Sequence, residues 1–522
     1  MPSHRLPGLV APLLLAAAVQ SALGNDWTDV GFTSPLAPTP GYLNEWLRKD
    51  DPYMNSWNVG VLYWGRYESK QNGGFVGPGS LADFRRDVDN DNSYYLQRVV
   101  PRIGYTDKWF EVFVQGRSST ATGDDRSSTA NGTVNVNTNG VVTSSGPIGR
   151  GSSPESDGPI DLNQAYVSIG NHKEFPVSLK LGRQELVLGE QRIVGPLLWN
   201  NIGRQWDAAK MRWQNRWFAA EAWSSLVVMP DDNAFNKSNN KEAFSGLQIT
   251  TKQLPKLWSE FYLLARNVGR GANSGTRNST PPPFRPPEAQ DVYTAGTYLR
   301  NSTNDWQNVD FGVQAYYQFG NFADFREAGG NGPRRDQSAW AVIGSGGYTW
   351  KESALTPYLG AEYSYASGDG NPNDGKHNTF VHLYPTGHLF YGFADFASLQ
   401  NLHNIRLRSA INPTARLKLM LEGHLKWLDS VDDNFYNVAG LPRGGVVYQG
   451  AAARGTGYGI NPDAGSFVGT EIDLVAQWRM NKFTTIEAAY CHFFRGDYIK
   501  DSLAKSGSQD ADYVYAQVQV QF

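Results

Sequence analysis

The last eleven residues of the chain, "DYVYAQVQVQF" (residues 512–522), alternate between two kinds of side chain. Apolar side chains occupy every second position: Val514, Ala516, Val518, Val520 and Phe522. Glutamines fill the positions between the last of these. Successive side chains of a β-strand point to opposite faces, so this segment requires an apolar environment on one face and a polar one on the other. Such a pattern is typical of a transmembrane barrel strand, and a soluble β-sandwich also uses it.

The spacing between such segments separates the two possibilities. Period-two segments recur from Trp57 to the C-terminus and predict about eighteen strands. The connections alternate between short turns and long polar loops, with residues 187–204 and 368–400 among the long ones. Outer-membrane barrels have short periplasmic turns and long extracellular loops. We therefore predict an all-β fold, a transmembrane antiparallel β-barrel of about 18 strands over residues 57–522.

Composition and the N-terminal residues agree with this class of protein. The chain is 40% hydrophobic and 13% aromatic with 55 glycines, and its net charge of -3 excludes a global basic field that would recruit nucleic acid. Residues 1–24 have one basic side chain, an apolar run and small residues suited to a cleavage site, so we predict a secretory signal peptide. Residues 25–56 contain "GYLNEWLRKD", for which we predict a short helix before the barrel.

Two further residue types carry predictions about position. Cys491 is the single cysteine, so no intrachain disulfide can form, and we predict a buried or lipid-facing small side chain. Aromatic residues cluster near the predicted strand ends and indicate interfacial girdles. The girdle candidates are Tyr63, Trp64, Trp109, Trp217, Trp223, Trp258, Tyr262, Trp340, Trp350, Trp427 and Trp478.

A second stretch, "LKLGRQELVLGEQRIVGPLLWNNIGRQWDAAKMRW" (residues 179–213), places paired charges between two strands. Alternation directs three cations to the lumen, namely Lys180, Lys210 and Arg212. It directs Arg183 and Glu185 to the lipid, where an arginine costs roughly 2–4 kcal/mol at the midplane. We therefore predict that the strand has left the membrane, or bulges at Gly182, before Arg183.

The connection within this stretch contains the apolar run "IVGPLLW". An apolar run is poorly placed in water, so we predict that the loop folds into the lumen and brings its charges to a constriction. The alternative is a solvated outer loop whose surface ion pairs are worth about 0–1 kcal/mol each.

This stretch and the block "AEYSYASGDGNPNDGKHNTFVHLYPTGHLFYGFADFASLQN" (residues 361–401) resemble the alginate export family of outer-membrane proteins. The resemblance implies an eighteen-stranded barrel narrowed by an arginine-rich constriction that passes an anionic uronate polymer. Carried over residue by residue, it implies that Arg183, Arg192 and Arg204 form the cationic ring. The acidic partners that it implies are Glu185, Glu190 and Asp207.

Other candidate sites in the second block are weaker. "GDGNPNDG" offers four oxygen ligands for Ca²⁺, Asp369, Asn371, Asn373 and Asp374, but it lacks EF-hand spacing, so a turn-rich outer loop is favoured. An enzyme hypothesis would use His382, His388, His403 and Glu362 as acid and base. No nucleophile elbow or HExxH motif accompanies these residues, so we predict neither an enzyme nor a cofactor.

The sequence thus predicts a passive pore in the bacterial outer membrane for an anionic polysaccharide or its fragments. A porin for small sugars or organic acids is the first alternative, and a barrel hydrolase is the second. The expected partners are outer-membrane lipid and an anionic oligo- or polysaccharide, with a periplasmic secretion scaffold left open and nucleic acid excluded.

Overall fold

The structure is a computed structural model of the chain. It describes residues 41–73, 75–76, 81–82, 84–86, 90–124, 133–136, 142–145, 155–170, 174–215, 217–230, 235–254, 256–269, 289–301, 306, 308–323, 334–438, 440, 460–505 and 507–522. The predicted signal peptide, residues 1–24, lies outside these ranges.

Eighteen long strands form one antiparallel sheet in which each strand pairs with the next and the last pairs with the first. The strands are β1 (Trp57–Gln71), β2 (Asn92–Thr106), β3 (Phe110–Thr122), β4 (Asp157–Ile169), β5 (Val177–Gln184), β6 (Trp206–Gln214), β7 (Phe218–Met229), β8 (Lys237–Thr251), β9 (Leu257–Val268), β10 (Gln290–Asn301), β11 (Val309–Ala323), β12 (Arg334–Thr349), β13 (Tyr358–Ala366), β14 (Leu402–Thr414), β15 (Leu417–Trp427), β16 (Phe467–Arg479), β17 (Thr484–Arg495) and β18 (Ala511–Gln521). The closed barrel confirms the predicted fold and strand number.

Shorter elements lie between the long strands. Lys376–His377 pairs with β12, and two small hairpins join Phe75–Val76 to Leu81–Ala82 and Thr133–Val136 to Val142–Ser145. The helices are α1 (Tyr42–Asp50), α2 (Asp497–Ser502) and the 3-10 turns Pro52–Ser56 and Gly387–Leu389. Within the described ranges, no helix is long and apolar enough to cross a membrane.

Alternation decides which side chains face outward. On β18, Val514 is 42% exposed, whereas the neighbouring Tyr515 is fully buried. On β14, Leu407 is 53% exposed and Arg406 is 1% exposed. Apolar side chains of the strands therefore face the lipid and polar ones face the lumen, as the period-two pattern predicted.

The short connections and both ends of the barrel lie at the same end of the molecule. Because outer-membrane barrels have short periplasmic turns, this end is the periplasmic one. Its exposed aromatic residues form the predicted girdle there, with Trp109, Trp217, Trp350 and Trp478 between 40% and 48% exposed. The girdle prediction was wrong for Trp64, Trp223 and Tyr262, which are at most 5% exposed because they occupy inward positions of the alternation.

Two long connections fold into the barrel. Residues 185–205 and 377–401 meet in a parallel bridge between Val194 and Tyr384. Their apolar side chains join those of the inward strand faces in one buried cluster. The prediction that 368–400 is an outer loop was therefore wrong for most of that segment, because its many aromatic residues are buried more favourably inside than in water. Cys491 is buried in the same cluster, as predicted.

Candidate functional site in the barrel lumen

Arg192 ties the first infolded loop, residues 185–205, to the barrel wall. Its Nη1 and Nη2 donate to the two carboxylate oxygens of Glu362 on β13, at 3.0 and 2.7 Å. Its Nε donates to Glu190 at 2.9 Å, and its guanidinium lies 4.0 Å from the ring centre of Phe390. Arg192 is 2% exposed, so it is a clamp between buried groups and not an open anion site.

Arg204 has a different environment. Its Nη1 donates to the carbonyl oxygens of Gly195 and Pro385, at 3.1 and 3.5 Å, and its guanidinium lies 5.3 Å from the ring centre of Tyr384. Burial lowers the pKa of Arg204 to about 10, which leaves it charged at neutral pH. The side chain is half-buried, and no described carboxylate lies within 4 Å of it.

Arg183 lies in the wall at the end of β5. Its Nε and Nη2 donate to the two carboxylate oxygens of Asp207, at 2.8 and 3.0 Å, and Asp207 also accepts from the Ser238 hydroxyl at 2.5 Å. Arg183 and Asp207 are register partners. Arg183 is two residues after the outward-facing Leu181, so both lie on the outward face of their strands. The structure therefore differs from the predicted cationic ring at Arg183, whose charge is neutralised on the outer side of the strand.

The pairing of β5 with β6 also decides between the two explanations offered for this region. It continues from Leu181 through Arg183 without a register shift, so no bulge interrupts it at Gly182. Gly182 has a φ of +121°, and a Cβ on it would lie 2.2 Å from the carbonyl oxygen of Ala165. Glycine is required here by the close approach of β4, and β5 ends one residue after Arg183.

Three predicted lumen cations lie on the inward face of β5 and β6. Lys180 and Lys210 are register partners and are both buried. Lys210 and Arg212 share Glu221 of β7, at 3.3 and 2.6 Å. The ammonium of Lys180 lies 3.4 Å from the ring centre of Tyr166. Lys210 and Arg212 thus share one carboxylate that the sequence did not single out, which balances one of their two charges.

Glu185 begins the first infolded loop and is 5% exposed. Its Oε2 is buried without a hydrogen-bond partner in the described part of the chain. Burial raises the pKa of Glu185 to about 7, although Lys180, Arg98 and Arg117 oppose that shift. Glu185 was predicted to be the partner of an arginine in this stretch. Instead it interacts through its charge with three cations of the barrel wall, Lys180, Arg98 and Arg117.

Sequence reasoning missed three inward arginines that hold the first infolded loop: Arg66, Arg98 and Arg117 on β1, β2 and β3. They donate to main-chain carbonyl groups, Arg66 to Trp199, Arg98 to Leu198 and Asn200, and Arg117 to Ile202. The sequence feature that could have indicated such inward side chains is a charged residue at every second position of a strand, as in Arg66, Glu68 and Lys70.

The histidines of the second infolded loop, residues 377–401, have structural contacts. His382 Nε2 donates to the Arg192 carbonyl oxygen at 2.7 Å, and its Nδ1 accepts from the Leu399 amide at 3.2 Å. Burial, aided by Arg192 and Arg204, lowers the pKa of His382 to about 3. His388 stacks on Trp199 with ring centres 3.5 Å apart.

The remaining candidate acid–base residues are engaged elsewhere. His403 contacts Asp429 at 3.2 Å, and Glu362 is occupied by Arg192. The four residues of the enzyme hypothesis are therefore engaged in structural contacts, two of them with Arg192.

The calcium candidate is a series of side chain to main chain turns. Asp369 Oδ1 accepts from the Asn371 amide at 3.2 Å, and Asn371 Oδ1 accepts from the Asn373 amide at 3.3 Å. Asp374 Oδ1 accepts from the Lys376 amide at 2.9 Å. In the described part of the chain, no group of three or more His, Cys, Asp or Glu side chains could hold a metal ion. Such turns are typical of the turn-rich loop that the sequence favoured.

Comparison with solved structures agrees with this architecture. OccAB1 of Acinetobacter baumannii is 10% identical, with 89% of this chain and 97% of that chain covered and a TM-score of 0.52. OccK9 (OpdG) of Pseudomonas aeruginosa is 9% identical, with 90% and 100% covered and a TM-score of 0.52. At these identities the likeness establishes the fold. No curated protein matches the sequence.

A closed barrel of eighteen strands with an apolar outer face and a lumen narrowed by infolded loops is a pore of the bacterial outer membrane. A family model described as "Alginate export" matches residues 56–513. The chain therefore belongs to the alginate export family, and the resemblance noted in the two sequence blocks is confirmed.

Proposed function

We propose that the pore passes an anionic polysaccharide, or fragments of one, across the outer membrane without chemistry and without a cofactor. The observation that carries this proposal is the environment of Arg204, which is charged, half-buried and without a described carboxylate partner. The other two predicted arginines are neutralised by Asp207 and by Glu190 with Glu362. Membership of the alginate export family supports an anionic polymer as the class of substrate.

Arginine suits transient contact with a uronate. Its planar guanidinium donates two parallel hydrogen bonds to a carboxylate and stays charged throughout the physiological range. In this pore the same guanidinium already donates to the Gly195 and Pro385 carbonyl oxygens. Since a passing carboxylate must compete with these acceptors, each contact stays weak enough for the polymer to move on.

A porin for small sugars or organic acids is a second candidate, and the packing of the lumen favours it. Both infolded loops belong to the buried cluster, and Arg192 at their junction is 2% exposed. A polymer needs the loops to yield, whereas a small solute needs only a narrow path beside them.

Single-channel recording of the refolded barrel in planar bilayers tests the proposal. We expect preference for anions, and block by oligouronates but not by neutral oligosaccharides of equal length. Arg204→Gln should weaken oligouronate block about tenfold, the effect of losing one charge-assisted hydrogen-bonding group. High salt should reduce this difference.

Arg212→Gln is the matched control, because it removes the same charge in the lumen while Glu221 keeps Lys210 as a partner. Its block by oligouronates should stay near that of the wild type. Equal block by neutral and anionic oligosaccharides would contradict the proposal and favour the porin for small solutes. An Arg204→Gln pore that behaves as the wild type would show that Arg204 is not the contact for the polymer.

A further inference from the structure

Helix α1 is fixed to the periplasmic end of the barrel along one side. Asn44 is fully buried, and its Oδ1 accepts from the Val59 amide at 2.7 Å. This amide lies on the part of β1 that extends beyond the end of the chain, with which β1 forms hydrogen bonds from Val61 onward. The helix therefore covers a strand edge that would otherwise be open to other chains.

Further contacts set the orientation of the helix. Arg48 donates to the carbonyl oxygens of Met54 and Trp57, at 3.1 and 2.6 Å. Glu45 forms an ion pair with Lys482 in the turn between β16 and β17. These contacts, with that of Asn44, fix one side of the helix and leave the other side outward.

The outward side is aromatic. Tyr42 and Trp46 are one helical turn apart and share a face. They are 59% and 55% exposed, and Tyr53 in the following turn is 63% exposed. The ring of Tyr42 contacts that of Phe483 edge-on, with ring centres 5.8 Å apart. Three large rings in this position form an apolar surface that nothing in the chain's described part covers.

This aromatic face continues the lipid-facing girdle of the barrel. Gly41 packs against the C-terminal Phe522, since a Cβ on Gly41 would lie 2.0 Å from the carbonyl oxygen of Phe522. Phe522 is 49% exposed, and Trp478 on β16 is 44% exposed. The exposed rings of α1 thus adjoin those that already meet lipid at the periplasmic boundary.

We propose that α1 lies in the headgroup region of the inner leaflet, with phospholipid as its partner. Tyrosine and tryptophan favour this region because their rings are apolar and their polar tips reach water. The exposed Lys49 on this side is offset in charge by the exposed Asp50 beside it, so the rings carry the interaction with lipid. The interaction covers the first residues of β1, 57–60, which extend beyond its pairing with the end of the chain.

Site-specific fluorescence in reconstituted barrels tests this proposal. Trp46→Cys and, separately, Tyr53→Cys are labelled with an environment-sensitive dye in vesicles of phosphatidylethanolamine and phosphatidylglycerol. Cys491 is buried, so the introduced cysteine is the one that reacts in the folded barrel. Shallow nitroxide lipids should quench these labels at least about twofold more than a label at Ser353→Cys.

Ser353 is exposed in a short turn at the same end and reports on water. Leu359→Cys, on a lipid-facing side chain that is 57% exposed, reports on the membrane. Labels at positions 46 and 53 that both behave like the label at 353 would overturn the proposal and leave the face to a periplasmic protein. Heat-modifiable migration on gels shows that each variant is folded.

Discussion

At the scale of single residues, the lumen contains few free charges because most are neutralised by a neighbour. The pair of Arg192 and Glu362 is the strongest case, with both side chains at most 5% exposed. Taking two charges out of water is costly, and their mutual attraction offsets that cost only while both remain. Moving the first infolded loop away would leave a buried charge without its partner. The pair therefore holds the loop in place.

We predict that Glu362→Leu destabilises the infolded position of that loop by roughly 3–5 kcal/mol, since it leaves Arg192 buried with Glu190 alone. Conductance should rise, and the loop should become sensitive to added protease. The double variant Arg192→Met with Glu362→Leu removes both charges and should restore most of the wild-type closure. A double variant as open as the single one would show that the pair does not hold the loop.

At the scale of elements, the two infolded loops depend on each other through His382. Its neutral ring donates to the Arg192 carbonyl oxygen of the first infolded loop and accepts from the Leu399 amide of the second. This arrangement requires Nδ1 to be unprotonated. The folded pKa of about 3 lies below the ordinary value of 6.5, so the released loop binds more protons between these values. The contribution of His382 to the stability of the closed loops is therefore complete above pH 6.5 and falls as the pH decreases toward 3.

We predict that openings become more frequent as the pH falls from 6.5 to 4, a change worth roughly 1–3 kcal/mol. His382→Gln keeps a donor for Arg192 without titrating, so its openings should depend much less on pH. His403→Gln is the control, because His403 lies on β14 outside the loops. An unchanged pH profile in His382→Gln would contradict this role.

The same two scales explain how far the sequence could predict the site. The pairs Arg183–Asp207 and Arg192–Glu190 were accessible, because hairpin register or a spacing of two residues joins them. Glu362 was not, since it is 170 residues from Arg192 and meets it only when the loop enters the lumen. Alternation predicts which side chains face inward but not how far a loop reaches across the lumen.

At the scale of the whole molecule, alternation predicted the barrel well because lipid imposes it on each strand. β16, which spans Phe467–Arg479, is one of the eighteen strands that confirm the predicted number. The predictions were wrong where the chain leaves the membrane. Residues 368–400 were predicted to form a polar outer loop, yet most of them are buried. Inside the barrel, packing and charge pairing determine the conformation of the loops, and neither has a fixed period along the sequence.

The outer face provides the last test, because one residue on β14 separates two opposite environments. Arg406 is buried inward and its Nε donates to Glu422 at 2.7 Å, whereas the adjacent Leu407 faces lipid near the middle of the strand. Leu407→Arg should lower the free energy of unfolding by roughly 2–4 kcal/mol, measured by urea titration in vesicles. Ala415→Arg, in the exposed turn after β14, should change it by about 0–1 kcal/mol. Equal costs at the two sites would mean that Leu407 does not meet hydrocarbon, since only a low-dielectric surrounding penalises the charge.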